Sequence, residues 1–555
     1  MHYLAFTLGP IFDTLKQARK TRELWAASYI FSALMRELLD VIKDNNNVEL
    51  LLAPQVHYVA KENRKGAGIY PDRCFFKTSG EISEGVVKSI IREAFGKLGQ
   101  AIPGLPANIA PNFRVFAAQV SLDESSPKSP ILELNNILDG LEMQGLVPEG
   151  PAQLVTVLER NIQNVYIDGG KNDVFIAVGA GGQQRLPSLI ELATAELNKD
   201  PLDTKSLYHS LLTGPTNKAI LQYQADIKNG VNKAERHESD AQEMALLNLK
   251  SSFGDEIKFR HKYVCFVKAD GDSVGATIGD IGNNQTNIQE FSKLLGKFAA
   301  DAVDEIIAYN AIPVYAGGDD LLFIAPLQNA KGAHIFDLIK QIDAVFPVKA
   351  LVDLGKEAKP SMSYGISISY YKYPMFESLD AMDDLLFGEA KHFTGKNAVA
   401  FRVLKHSGQA FGATLGKPSH GADENSFSAF SNLLTECRKQ DTSFLTSVMH
   451  KLSDLELFLE DALQHSGTPH FFKHHFNEQD HAGSAANNYL KLVRGFCESA
   501  WKDETARKNI EKETATKRGE PTAEIEKIIP DIKAVSNQIF ASLRFIQFLN
   551  QEDHD

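Results

Sequence analysis

VYAGGDDLLF, Val314 to Phe323, is the stretch on which the reading of this chain turns. Two glycines and two aspartates stand between apolar runs. The pattern is that of a β-hairpin with buried strands and adjacent carboxylates at its tip. A solvated turn would account for the tip alone. A divalent-metal site would account for it too, and the flanking sequence separates the two.

Working outward, KYVCFVKADGD (Lys262–Asp272) reads as a strand running into a glycine turn. NIQEFSKLLGKFAADAVDEIIAYN reads as a long helix with Ile288, Phe291, Leu295, Phe298 and Val303 on one stripe. After the hairpin come a second helix (GAHIFDLIKQIDAVF), a strand (PSMSYGISISYYKY), a third helix (MFESLDAMDDLLFGEAKHF) and a closing strand (NAVAFRVLKH). This β-α-β-β-α-β order, with a further helix and strand, predicts a ferredoxin-like palm domain over 261–408.

In that order the strand ending at Asp270 lies beside the hairpin strands. The two acidic turns, ADGDSVG with Asp270 and Asp272 and GGDD with Asp319 and Asp320, therefore share one sheet edge. Carboxylates gathered there repel one another unless cations lie between them. Mg²⁺ or Mn²⁺ takes such oxygen ligands and keeps open positions for substrate phosphates. Gly317 and Gly318 allow a tight turn and close approach of substrate. Gly271, Ser273, Val274 and Gly275 offer backbone N–H groups ahead of a helix, a place for triphosphate oxygens. Lys391, at the end of the third helix, either meets the phosphates or complements the helix dipole. An EF-hand beginning at Asp270 is excluded by Val274 at its fifth position and Ile281 at its twelfth.

The first part of the chain repeats the scheme less clearly. HYLAFTLGP opens as a strand, a helix is predicted from Thr14 to about Lys43, VELLLAP is a strand, GIYPDRCFFKTS a turn between strands, SEGVVKSIIREAFGKLGQAI an amphipathic helix, and NFRVFAAQVSL a strand. VYIDGGKNDVFIAVGAGG reads as a hairpin closing a unit near residue 185. YLAFTLGPI (Tyr3–Ile11) aligns with YVCFVKADG (Tyr263–Gly271), but the first copy lacks the aspartate. The expected fold class is α+β: a degenerate palm-like domain over 1–185, a helical linking module over 186–260, the second palm, and a helical domain over 409–555 that begins in the Gly/Ser-rich linker KHSGQAFGATLGKPSHGADEN.

The bulk properties narrow the function classes. The 555 residues exceed one core, and a net charge of −13 excludes a free-standing basic nucleic-acid binder. The four cysteines (Cys74, Cys265, Cys437, Cys497) form no CxxC pair, which excludes a zinc ribbon and argues against a disulfide framework. No signal peptide and no membrane span is legible, so a cytoplasmic protein is expected. The histidines of HFFKHHFNEQDH (His470–His481) read as a surface helix end rather than a metal site. DGGKND and TGKN fail as P-loops.

ARKTRELWAASYIFSALM (Ala18–Met35) after LGPI, then ADGDSVG, GGDD, SMSYGISISYYKYP and AK…GKNAVAF, resemble the large polymerase/cyclase subunit of type III CRISPR effector complexes, type III-B (Cmr) branch. The resemblance implies two packed palm domains, the second active. ATP is then the substrate, Mg²⁺ or Mn²⁺ the cofactor of a two-metal site, and target RNA the activator. The implied partners are the other Cmr-type subunits, the guide RNA and the target RNA, and no membrane. Carried over by motif, Asp270 and Asp319 are metal ligands, Asp272 and Asp320 complete the acidic shell, and Lys391 contacts phosphate; Asp270, Asp319 and Asp320 are the expected catalytic residues. The HD nuclease and cysteine-ligated zinc modules of many relatives have no counterpart here, so no DNA cleavage is expected. AMP would pass from ATP either to form cyclic oligoadenylate or to S-adenosylmethionine, with the missing HD domain favouring the latter. A diguanylate cyclase and a non-catalytic scaffold are the alternatives. The basic run KQARKTRE (Lys16–Glu23) reads equally as a solvated helix face or a contact to ATP or RNA.

Overall fold

The computed structural model describes residues 1–55, 67–102, 105, 109–143, 177–178, 184–197, 258–355, 359–393, 395–417, 425–437, 442–476 and 484–551. Its first sheet is built from β1 (His2–Gly9), β2 (Val48–Ala53), β3 (Arg73–Thr78) and β4 (Arg114–Ser121), with α1 (Thr21–Lys43) between β1 and β2 and α2 (Glu84–Ala101) between β3 and β4; α3 (Pro130–Glu142) follows. The strand order is β2-β3-β1-β4, every neighbouring pair antiparallel. This is the ferredoxin-like arrangement, with each crossover helix joining parallel strands one apart.

The second sheet repeats it. β5 (Tyr263–Asp272), α4 (Val274–Ile281), α5 (Gln285–Ala308), β6 (Ile312–Gly317), β7 (Asp320–Pro326), α6 (Ile335–Val345) and β8 (Ser361–Tyr370) give the order β8-β5-β7-β6. α7 (Met375–Asp383) then leads to β9 (Ala398–Leu404), parallel to β8, and β10 (Ala410–Gly416), antiparallel to β9. Tyr3 and Tyr263, aligned by the internal repeat, open the corresponding strands β1 and β5 and are both fully buried.

Both faces of the second sheet are covered, which is why its strands read as near-continuous apolar runs. Val264, Phe266, Leu322 and Ile324 point to a core shared with Leu4 and Phe6 of the first sheet and with α1. Helix α1 is therefore buried around most of its circumference, and its small residues Ala26, Ala27, Ser28 and Ala33 let backbones approach. Cys265, Val267, Leu321 and Phe323 point the other way, to α5 and the C-terminal helices. The predicted stripe Ile288, Phe291, Leu295, Phe298 and Val303 is wholly buried there, each side chain contributing about 1.5–3 kcal/mol.

From Ser426 onward the described chain is helical, including α8 (Ser426–Cys437), α9 (Ser484–Lys517) and α10 (Ile532–Asn550). Of 186–260, residues 186–197, with a short helix Leu189–Ala193 and the turn Ala195–Leu197, and residues 258–260 are described; the rest of the expected helical module lies outside the described residues, as does most of the expected hairpin before residue 185.

Four local expectations are corrected. The first helix starts at Thr21, after a separate turn of helix at Ile11–Leu15. CFFKTS belongs to β3, paired with β1 on one side and β2 on the other, not to a turn. A separate helix, α4, stands between the acidic turn and the long helix. The supposed linker after residue 405 contains β10, whose Phe411, Ala413 and Leu415 face the core; three glycines in KHSGQAFGATLG masked this alternation. No helix among the described residues is long and apolar enough to cross a membrane.

Candidate active site at the acidic sheet edge

The register Lys268↔Leu322 and Ala269↔Leu321 between β5 and β7 sets the geometry of the edge. One step further, Asp270 and Asp320 are neighbours, and the strand alternation puts both on the face shared with Lys268 and Leu322. Gly318, at φ +70°, closes the hairpin in the left-handed region. Asp319 folds back over Gly271, so that a Cβ there would run into its carboxylate.

Asp272 is placed differently. It is 1% exposed, and its Oδ2 accepts hydrogen bonds from Ser361 Oγ at 2.7 Å, Ser363 Oγ at 2.8 Å and the Asn397 backbone N–H at 3.0 Å. Its Oδ1 lies 3.1 Å from Lys391 Nζ. That ammonium also lies 3.0 Å from Asp270 Oδ2 and donates to Gly271 O at 2.6 Å. Lys391 reaches the edge because the helix after α7 widens to π-type turns over Asp384–Ala390, and the Lys391 N–H bonds Leu386 O.

The edge is short of positive charge. Burial, with Asp270 adding to it, pushes the Asp319 carboxyl from its ordinary 3.8 up to about 7. Burial raises Asp320 well above its ordinary value, against the pull of Lys268. Burial works to lower Lys391, but Asp270 and Asp272 outweigh it and raise it overall. Asp320 Oδ1 is buried with no hydrogen-bond partner. The sequence places three or four carboxylates together at one sheet edge; the structure gives them different surroundings. Among the described residues no three His, Cys, Asp or Glu side chains form a ready-made metal cage. Lys391 stands between Asp270 and Asp272, and Asp272 is turned inward to Ser361 and Ser363.

Beyond Asp272, Ser273 adopts φ +59° and starts α4 at Val274. The residues from Gly271 to Gly275 thus form a strand-to-helix turn that puts the first N–H groups of α4 beside Asp272.

Sequence reasoning missed the cavity next to Asp320. About 410 Å³ in volume, it lies between the two sheets and is lined among others by Phe12, Asp13, Asp72, Arg114, Glu142, Lys268, Tyr315 and Asp320. Glu142 Oε1 accepts from Thr7 Oγ1 at 2.6 Å and from Arg73 at 3.0 Å. Burial raises Asp72, opposed by Arg73. Lys268 Nζ bonds Asp383 at 2.7 Å between the rings of Phe12 and Phe387, each 4.7 Å away. Lys268 was legible as a lone cation in an otherwise apolar strand; Asp72 and Glu142 gave no signal, because no motif joins them to the acidic turns. Lys16 of the basic run pairs with Asp380 at 2.5 Å, across the two units. His475 packs on Phe471 at 5.0 Å, and residues 477–481 of the histidine cluster lie outside the described residues.

Two ferredoxin-like sheets, the second with carboxylates at the ends of its central strands, define a twin-palm protein. Residues 263–400 match the family model for the second palm domain of Cas10/Cmr2, and residues 3–102 match the one for the N-terminal part of the CRISPR-associated protein Cmr2. Both matched segments thus make the chain similar to Cas10/Cmr2 proteins, type III-B branch. It is 26% identical over 223 residues to the Cmr subunit Cmr2 of Pyrococcus furiosus, covering 35% of this chain and 25% of that protein. Among solved structures it resembles a chain of the type III-B Cmr-beta complex in the apo state, with a TM-score of 0.50, 12% identity, 82% of this chain and 75% of that chain. The same complex bound to cognate target RNA gives a TM-score of 0.54, again at 12% identity, over 82% and 76%.

Proposed function

We propose that this chain is the nucleotidyltransferase subunit of a type III-B effector complex, assembled with other Cmr-type subunits and a guide RNA and switched on by target RNA. It would transfer AMP from ATP to an acceptor, forming a bond from an acceptor oxygen to the α-phosphorus, breaking the bond to the β-phosphate and releasing pyrophosphate. The observation that carries the reading is the charge-deficient edge of Asp270, Asp319 and Asp320 beside the cavity. The orphaned Asp320 Oδ1 and the raised Asp319 fit a divalent cation, which Asp270, Asp319 and Asp320 would hold after drawing closer together, since they form no cage as they stand. When bound, Mg²⁺ or Mn²⁺ supplies charge to polarise the α-phosphate and to ease deprotonation of the acceptor. Lys391 and the N–H groups at the head of α4 would orient the phosphates, with Gly318 leaving the hairpin tip open to them, whereas the space beside Gly317 is filled by the Tyr315 hydroxyl. Asp272 would hold the Asn397 turn in place.

The acceptor is the finer question. The cavity is lined by Asp13, Asp72, Glu142 and Asp320 against Arg114 and Lys268. A lining with excess carboxylate suits a cationic acceptor better than a second triphosphate. This supports S-adenosylmethionine, with its ammonium and sulfonium, over the growing oligoadenylate. The deciding experiment supplies the assembled complex and target RNA with ATP, with and without S-adenosylmethionine, and reads products by mass spectrometry. An AMP adduct that requires S-adenosylmethionine is expected. Cyclic oligoadenylate from ATP alone would overturn the acceptor assignment. No ATP turnover, or equal turnover after replacing Asp319 and Asp320 by alanine, would overturn the enzyme in favour of a scaffold. Turnover of GTP alone would favour a diguanylate cyclase.

A further inference from the structure

The turn between the π-type segment and β9 grips the acidic edge at both ends. Lys391 at its start reaches Asp270, Asp272 and Gly271 O, and Asn397 at its end gives its N–H to Asp272. The turn is held in an unusual backbone: Gly395, Lys396 and Asn397 all have positive φ, at +88°, +54° and +50°. Two consecutive non-glycine residues in the left-handed region persist only where the surroundings impose them.

Part of what imposes them comes from the C-terminal helices. Asp503, Arg507 and Ile510 follow at i, i+4 and i+7 on α9 and so share one face. The Arg507 guanidinium lies 4.4 Å from the centroid of the Phe393 ring. Its NH1 is fixed by Glu504 at 3.1 Å. Ile510 Cδ1 is 3.8 Å from where a Cβ on Gly395 would stand. Asp503 accepts the Ser426 N–H at 2.8 Å, and Ser426 Oγ accepts from Gly416 N–H at 3.0 Å. The neighbouring Lys417 N–H bonds Asn397 O at 2.9 Å. One helical face thus touches the turn directly at Phe393, faces Gly395 through Ile510, and reaches Asn397 through Ser426, Gly416 and Lys417.

We infer that Arg507, acting through Phe393, is a positioning residue for the acidic edge: it holds the turn that aims Lys391 and the Asn397 N–H at Asp270 and Asp272. The inference rests on the proposed nucleotidyl transfer for its catalytic consequence, but not for its structural one. A stacked guanidinium is worth about 0.5–2 kcal/mol, enough to bias a strained turn without unfolding the sheet. Displacement by about 1 Å of groups that orient reacting atoms costs on the order of 100-fold, so partial loosening should cost about tenfold.

Two readouts test it. Hydrogen exchange on the full chain follows the backbone amides of residues 391–397. In the assembled complex with target RNA, kcat and KM for ATP are measured. Arg507→Ala and Phe393→Ala should each speed exchange in the turn about tenfold while leaving β9 and β10 protected. Each should lower kcat about tenfold with KM for ATP within about twofold. Phe393→Tyr, which keeps the ring, should restore both, and Lys517→Ala, an exposed cation further along α9, should change neither. Unchanged exchange in Arg507→Ala overturns the inference, as does faster exchange with kcat intact. If the unsubstituted complex makes no product, the proposed function is what fails, and the exchange experiment still decides whether α9 holds the turn.

Discussion

Lys391 Nζ lies 3.0 Å from Asp270 Oδ2 and 3.1 Å from Asp272 Oδ1, placing a side-chain cation between two carboxylates of β5 that would otherwise face each other unscreened. Burial alone would lower this lysine; the two aspartates it touches reverse that. The pair stabilises the edge as long as no metal does, and it gives the edge a cation that a divalent ion would supplement or displace.

Replacing Lys391 by methionine should therefore cost stability and make stability metal-dependent. Removing one partner from a mostly buried ion pair leaves the other uncompensated, at roughly 3 kcal/mol. Urea unfolding of Lys391→Met should show about that loss in metal-free buffer. Adding Mg²⁺ should recover more of it than the same Mg²⁺ adds to the unsubstituted chain, because the ion replaces the missing charge. Equal Mg²⁺ effects on both proteins would show that the ion does not bind beside Asp270.

Asp272 and Asp319 should respond oppositely to the same substitution. Asp272→Asn puts an amide against three donors, Ser361, Ser363 and the Asn397 N–H. All three now bond the same oxygen, Oδ2, which the amide oxygen can replace. The amide NH2 then stands where Oδ1 was, 3.1 Å from Lys391 Nζ, and a loss of about 2–3 kcal/mol is expected. Asp319→Asn removes a buried carboxylate that Asp270 repels. It should leave the chain as stable or more stable by up to about 1 kcal/mol, while abolishing adenylyl transfer. Chemical denaturation of the two variants, read beside their turnover, distinguishes an anchoring carboxylate from a catalytic one.

The raised Asp319 carboxyl sets a pH dependence whose sign is fixed. Between its ordinary 3.8 and about 7 the folded state holds a proton that the unfolded state has released. The free energy of unfolding therefore falls as pH rises through that window and levels off above it. Asp320, raised by burial, acts in the same direction. In metal-free buffer the stability difference between Asp319→Asn and the unsubstituted chain should grow from pH 4 to pH 7. Saturating Mg²⁺ should flatten that growth, since a bound cation favours the ionised carboxylate. A difference that is constant across the window would mean Asp319 titrates normally.

What the sequence disclosed and what it hid follow from how local each feature is. The palm order and the two acidic turns were legible because each strand and helix carries its own periodicity, and because Gly317–Gly318 and Gly271 punctuate the turns. The unequal roles of the carboxylates were not, because Ser361, Ser363, Lys391 and Asn397 come to Asp272 from distant parts of the chain. Lys391 itself was placed correctly at a helix end, but the π-type widening that turns it toward Asp270 has no clear composition signal in DLLFGEA. The cavity depends on residues of the first unit, such as Asp72 just before β3 and Asp13 in the helical turn after β1, meeting Asp320 across the interface between the sheets. β10 was hidden by glycines that read as a linker although Phe411, Ala413 and Leu415 kept a strand's alternation.

Gly271 and Gly318 offer the sharpest separation between strain and obstruction at this edge. A Cβ on Gly318 would meet nothing within 4 Å, so Gly318→Ala costs only the left-handed backbone at φ +70°. That is about 1–2 kcal/mol, and the carboxylates stay where they are. A Cβ on Gly271 would collide with the Asp319 carboxylate and with Val274. The strand is held there, because Gly271 is paired with Met362, one position inside the end of the β5–β8 ladder. Asp319 is the part free to move, and it would swing away from Asp270. Gly271→Ala should therefore lose adenylyl transfer by about 100-fold or more with overpacking costing only about 1–3 kcal/mol. Gly318→Ala should keep turnover within about tenfold at a similar stability cost. Parallel urea titrations and turnover assays give the comparison. If the two alanine variants lose activity in equal measure, the placement of Asp319 over Gly271 is not what the chemistry requires.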